Sequence, residues 1–155
     1  MTQLLCGDRI GKTAILQVGC NAVIFDAAHE KVLLTQRTDN GQWCLPGGRM
    51  ETGESASEAC VREAWEETGL AVEARRLIGI YTTPHRITLY GDGKRVQFVS
   101  LVFEAAVTGG QLGLSNETTA FGYFSRDEIR QLDLMEHHRI RIDDAFIGQA
   151  EAFVR

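Results

Sequence analysis

The stretch Leu45-Pro46-Gly47-Gly48, followed by a helix with readable ends, constrains this chain more than any other feature. Proline removes a backbone donor and glycine has no side chain, so Pro46-Gly47-Gly48 is expected to continue neither a helix nor a strand. Ser55 and Glu58 then have the spacing of a capping box, in which hydroxyl and carboxylate satisfy each other's free backbone donors. The helix should run to about Thr68 and stop at Gly69, the residue suited to a left-handed cap. The rest of the fold must be built around one loop-led, capped helix.

Both flanks of that helix read as strand. Ile15 to Phe25 is rich in β-branched and apolar residues, Asp26 to Glu30 is a turn, and Lys31 to Arg37 forms a second strand, which together predict a hairpin. Asp39-Asn40-Gly41 marks a further turn. Beyond the helix, Val72 to Tyr81 reads as strand, and Ile87 to Tyr90 and Lys94 to Val107 flank a hairpin turn at Gly91-Asp92-Gly93. Gly109-Gly110 predicts another turn, Phe121 to Phe124 a short strand and Arg126 to Leu132 a short helix. From about Glu136, Ile140, Phe146, Ile147, Ala150 and Val154 recur at near-helical spacing. Strands and helices mixed in this order predict an α/β (α+β) sandwich rather than a doubly wound parallel sheet. At 155 residues the chain is expected to be one domain, 1–155, able to fold without a disulfide or a structural metal.

Sixteen basic residues against twenty-one acidic give a net charge of −5, which argues against gripping duplex nucleic acid through its phosphates. A small phosphorylated substrate is compatible with that charge, because a divalent cation reverses the local field. The first residues lack the basic and apolar runs of a signal peptide, and Gln17 and Asn21 break the apolar stretch from Ala14 to Phe25, so no membrane span is expected. Cys6, Cys20, Cys44 and Cys60 form no metal-ligand spacing and read as reduced thiols of a cytoplasmic protein.

Chemistry concentrates on the capped helix. At 100° per residue, Glu66 and Glu67 lie about 60° and 40° to either side of Glu63, so the three carboxylates share one face beside the small residues Ala56, Ala59 and Cys60. Arg62 can pair with Glu66 one turn on, which leaves two carboxylates without a partner. A bare ExxEE is most often a solvated helix face. Here a glycine loop enters the helix and Glu54 precedes its cap, so a divalent cation with hard oxygen ligands, Mg²⁺ or Mn²⁺, is the natural neutraliser.

Gly48, Glu54, Arg62-Glu63, Ala64, Glu66-Glu67, Gly69 and Leu70, at their fixed spacings over residues 48–70, resemble the signature box of the Nudix (MutT-like) hydrolases. Ala64 stands where a bulkier aliphatic is common. The resemblance implies an α/β/α sandwich with a mixed central sheet and Mg²⁺-dependent hydrolysis of a nucleoside diphosphate linked to another moiety. It also implies metal binding by Glu63, Glu66 and Glu67, a backbone carbonyl contribution from Gly48, a supporting role for Glu54 and an orienting role for Arg62. Glu117, in a late Ser-Asn-Glu-Thr-Thr loop, matches a region from which the family draws a metal ligand or a base. Tyr81, His85 and Arg86 are candidate substrate contacts, and Tyr90 and Phe98 could stack on a base. His137-His138 read as solvated residues capping the last helix. Two substrate classes compete. Pro84 and the Tyr90-Gly91-Asp92-Gly93 hairpin favour ADP-ribose or a nucleotide sugar, and the alternative is a nucleoside triphosphate. A non-catalytic nucleotide-binding module would be expected to have lost a box glutamate, and this chain has them all. The resemblance leaves a homodimer open.

Overall fold

A computed structural model describes residues 2–155. Ten strands and three helices follow one another as β1 (Gln3–Cys6), β2 (Ile15–Val23), β3 (Lys31–Arg37), β4 (Trp43–Cys44), β5 (Gly47–Arg49), α1 (Ala56–Thr68), β6 (Leu70–Thr82), β7 (Arg86–Leu89), β8 (Arg95–Gly110), β9 (Thr118–Ser125), α2 (Arg126–Gln131), α3 (Glu136–Ile147) and β10 (Phe153–Val154). The long strand β8 organises the larger sheet. One of its edges pairs in parallel with β2, and β2 carries β5 antiparallel beyond it. Its other edge takes β6 and then β7, both antiparallel. A smaller antiparallel sheet holds β4, β3 and β9 in that order.

Alternation along β2 decides which helix lies on which face. Cys20, Ala22 and Ile24 turn to one side, where they pack with Leu33, Leu70, Val72 and Ala105 against Ala59, Cys60 and Ala64 of α1. These three helix residues are small and fully buried, so α1 lies close to the sheet. Val23 turns to the other side and joins Val32, Leu34, Leu45, Ile78 and Val102 beneath Ile129 of α2 and Ile142 and Ala145 of α3. The result is the α/β/α sandwich with a mixed sheet that the family resemblance implies.

The ends of α1 are as read from the residues. Ser55 Oγ accepts from the Glu58 amide at 3.2 Å, and a Glu58 carboxylate oxygen accepts from the Ser55 amide at 2.7 Å. Gly69 closes the helix at φ 73°, its N–H on the Trp65 carbonyl. A Cβ there would stand 2.5 Å from the Gln111 carbonyl oxygen, so both conformation and space call for glycine.

Four expectations need correction. Gly47–Arg49 is a short strand, tolerated at a sheet edge where only one side pairs; Pro46 ahead of it contributes its carbonyl to Ala22 N–H. Gly109 and Gly110 stay in β8, because β6 pairs with them through Ala71 and Leu70. The predicted hairpin closes only at its tip, through the Phe25–Val32 bridge, since β2 and β3 then diverge into different sheets. Lastly, α3 ends at Gly148, and Val154 belongs to β10 beside β6 rather than to a helix face.

Candidate active site

A cleft of about 750 Å³ opens where β5, the acidic face of α1 and the loop before β9 meet the α3 side of the larger sheet. Of the residues singled out by sequence, Gly48, Arg62, Glu63, Glu66, Glu67, Tyr81, Arg86 and Glu117 line it, as do Tyr90 and Phe98. Glu54 stands behind this wall, held by Arg62. His85 does not line it; its Nδ1 accepts the Arg9 amide and lies 3.5 Å from Asp8.

Arg62 engages more carboxylates than its spacing suggests. Its Nε and Nη2 reach the two oxygens of Glu54, its Nη1 donates to Glu63 and to Glu66 at 3.0 Å each, and Nη2 also donates to the Arg49 carbonyl. The guanidinium fork thereby ties the residue ahead of the cap, the helix face and β5 into one unit. It holds the Glu54 carboxyl below the usual carboxylate range. The expectation that two carboxylates lack a partner is corrected to one.

That one is Glu67. It is 7% exposed and forms no ion pair among the described residues. The Gly47 amide donates to its Oε2 at 3.0 Å. Burial pushes its carboxyl up to about 8, a rise the Gly47 N–H opposes and the charges of Glu63 and Glu117 reinforce. Burial also raises Glu63, against the pull of Arg62 and with the push of Glu66 and Glu117. A side chain at Gly48 would run into the Glu63 carboxylate, so this backbone and that acid are in close approach. Among the described residues no three acidic, histidine or cysteine groups are already closed round one point. Arg62 accounts for part of this by drawing Glu63 and Glu66 to itself.

These observations fit a divalent cation. Buried, mutually repelling carboxylates beside a glycine backbone are hard oxygen donors short of positive charge. Glu63, Glu66 and Glu67, with Gly48, are the groups that would hold it. Glu117 projects from an exposed loop close enough to raise the buried Glu67 and the half-buried Glu63.

The floor of the cleft escaped the sequence reading. Arg141 of α3 donates from Nη1 to Asn21 Oδ1 and from Nη2 to Ser100 Oγ, both at 3.0 Å. His138 is not a solvated cap: it is 4% exposed, and its Nδ1 accepts the Leu45 amide at 3.1 Å. Met135 occupies the N-cap position instead. Tyr81 is buried too, its hydroxyl donating to Asp144 at 2.9 Å. No local pattern marks these partners, which lie up to 120 residues apart.

Known proteins resemble this chain in sequence and in fold. The NUDIX domain family model matches residues 15–146. A MutT-like protein of Streptomyces ambofaciens is 36% identical over 118 residues, covering 76% of this chain and 70% of that protein. An ADP-ribose pyrophosphatase of Methanocaldococcus jannaschii is 35% identical over 113 residues, 71% of this chain and 63% of that one. A putative 8-oxo-dGTP diphosphatase of Bacillus subtilis is 38% identical over 91 residues, 59% of this chain and 54% of that one. Among solved structures, a NUDIX hydrolase from Nitrosomonas europaea superposes with a TM-score of 0.72 at 26% identity, covering 90% of this chain and 94% of that one. No helix among the described residues is long and apolar enough to cross a membrane. With its signature residues set along one cleft wall and the family match spanning most of its length, the chain belongs to the Nudix family of pyrophosphohydrolases.

Proposed function

We propose that this chain is a Mg²⁺-dependent hydrolase of the pyrophosphate bond in a nucleoside diphosphate linked to another moiety, with ADP-ribose or a nucleotide sugar as the substrate class. It works as one domain, 1–155, on a small cytoplasmic nucleotide, and the reading leaves a homodimer open. The observation that carries it is Glu67, a buried carboxylate with no ion-pair partner among the described residues, beside Glu63 at the Gly47-Gly48 backbone. Mg²⁺ or Mn²⁺, when bound, would neutralise phosphate charge and lower the pKa of a water. Glu63, Glu66 and Glu67 hold the cation with Gly48, Arg62 fixes two of these acids, and Glu54 anchors Arg62. Glu117, on its exposed loop, accepts the proton of the attacking water. Arg86 and Tyr81 contact the substrate; His85 does so only if its loop turns toward the cleft.

The second reading is a nucleoside triphosphate substrate, favoured by Arg86 and Arg141, which line the cleft and have no acidic partner among the described residues. A substrate panel with Mg²⁺, read as released phosphate after phosphatase coupling, separates the two. Excess chelator should abolish turnover and Mg²⁺ restore it. Glu67→Gln and Glu63→Gln should each lose roughly 10³-fold or more, Glu66→Gln somewhat less, and Glu117→Gln and Glu54→Gln less again. Full turnover in chelator, or Glu67→Gln within tenfold of the parent, overturns the metal reading.

A further inference from the structure

In the same cleft, Arg141 carries a positive charge to which the proposed hydrolysis gives no role. Arg141 is 5% exposed, yet both of its bonded partners, Asn21 and Ser100, are neutral, and its Nε–H has no partner among the described residues. Asp144, one turn further along α3, commits its oxygens to Arg155 and Tyr81. Arg86 lines the same cleft half-buried, and no ion pair among the described residues involves either arginine. Burial and the neighbouring Arg86 charge pull Arg141 down to about 10. His137, also on the cleft, has an Nδ1 with no partner among the described residues and is kept neutral by burial and by the same two arginines.

A buried charge is ordinarily paired, because leaving water is costly unless an opposite charge compensates it. This chain has twenty-one acidic residues and places none of them against Arg141. A second guanidinium nearby makes the deficit larger. A neutral carbonyl would accept a hydrogen bond but leave the charge uncompensated, so the missing partner is an anion.

We propose that Arg141, Arg86 and His137 form an oxyanion subsite that takes a phosphoryl group of the substrate beyond the pyrophosphate held at the carboxylate wall. The subsite rests on the proposed function for its place in the reaction, but not for its ability to bind. Asn21 joins the two regions: Arg141 holds its Oδ1, while its Nδ2 lies against Gly47, whose amide is bonded to Glu67. One ligand can therefore span both. The extra phosphoryl group has two sources, a third member of a polyphosphate chain or a phosphate ester on the attached moiety.

Binding is tested first in excess chelator, where the carboxylate wall holds no cation and no hydrolysis occurs. At constant ionic strength, inorganic phosphate should raise the melting temperature of the wild type, and Arg141→Met and Arg86→Gln should lose that shift. Arg86→Gln keeps the test decisive if Arg141→Met fails to fold, because Arg86 is only half-buried. An unshifted wild type, or equal shifts in wild type and Arg86→Gln, overturns the subsite. With Mg²⁺, kcat/KM is then compared in two arms: a nucleoside triphosphate against the matching nucleotide sugar, and a nucleotide sugar bearing a phosphate ester against its unphosphorylated form. A preference of tenfold or more in the first arm identifies a polyphosphate chain, and in the second an ester. Arg86→Gln should erase the preference through KM. Absence of preference in both arms overturns the proposal. A phosphate shift lost in the variants of a protein that hydrolyses nothing would sustain the subsite and sink the hydrolase reading.

Discussion

Arg62 shows what one side chain can integrate. Its five N–H donors serve Glu54, Glu63, Glu66 and the Arg49 carbonyl, spanning the segment before the cap, the helix face and an edge strand. Lysine keeps the charge but offers a point donor in place of a fork. Arg62→Lys should therefore fold, and its melting temperature should stay near that of the parent, while Glu63 and Glu66 lose their fixed orientation. Misplacing groups by about an ångström costs roughly 10²-fold in rate, so kcat/KM should fall by about that factor. Turnover within threefold of the parent would reduce Arg62 to a surface pair. The acids around it were legible because helical periodicity is local: Glu63, Glu66 and Glu67 share a face by spacing alone. Arg141 was not, since Asn21 and Ser100 reach it only after β2, β8 and α3 have assembled.

Among the elements, α1 was the most readable and the sheet the least. A helix carries its own start and stop, here Ser55 with Glu58 and Gly69. Strand partners are chosen by tertiary packing, so the parallel pairing of β2 with β8 and the retention of Gly109-Gly110 in β8 have no sequence-local sign. The two ends of α1 also differ in what they support. Ser55→Ala removes one cap and should cost about 1 kcal/mol of stability with little change in kcat. Gly69→Ala places a methyl at φ 73° against the Gln111 carbonyl. A left-handed non-glycine residue alone costs roughly 1–2 kcal/mol. The Gln111 and Gly113 amides bond the end of the helix, at Gly69 and Thr68, and lead into the Glu117 loop. Gly69→Ala should therefore lower both the melting temperature and kcat. Parallel melts and steady-state rates check the contrast, and a Gly69→Ala enzyme with unchanged kcat would uncouple the cap from that loop.

For the whole molecule, the acidic wall is a liability without its cation, and proton linkage exposes it. Glu67 has a folded pKa raised to about 8, so between its ordinary value near 4.5 and pH 8 the folded state binds a proton that the unfolded state does not. Stability from this group is present at low pH and is lost as pH rises through 8. Glu63 is shifted in the same direction. His137 and His138 are depressed below 6.5 by burial, so their contribution rises with pH and is complete above about 6.5. Between pH 6.5 and 8 Glu67 is therefore left to dominate. Each pH unit is worth at most about 1.4 kcal/mol per proton, so the window carries about 2 kcal/mol or less from Glu67. In excess chelator the melting temperature should fall by roughly 4 °C across it. Glu67→Gln should flatten that slope and be more stable than the parent at pH 8. Saturating Mg²⁺ should reverse the slope in the wild type, because the cation binds the deprotonated acid and stabilises by mass action. The glutamine variant should gain far less from Mg²⁺. A metal-free wild type whose melting temperature is level or rising from pH 6.5 to 8 would show that Glu67 is already ionised without a cation, and the acidic wall would then be a solvated helix face after all.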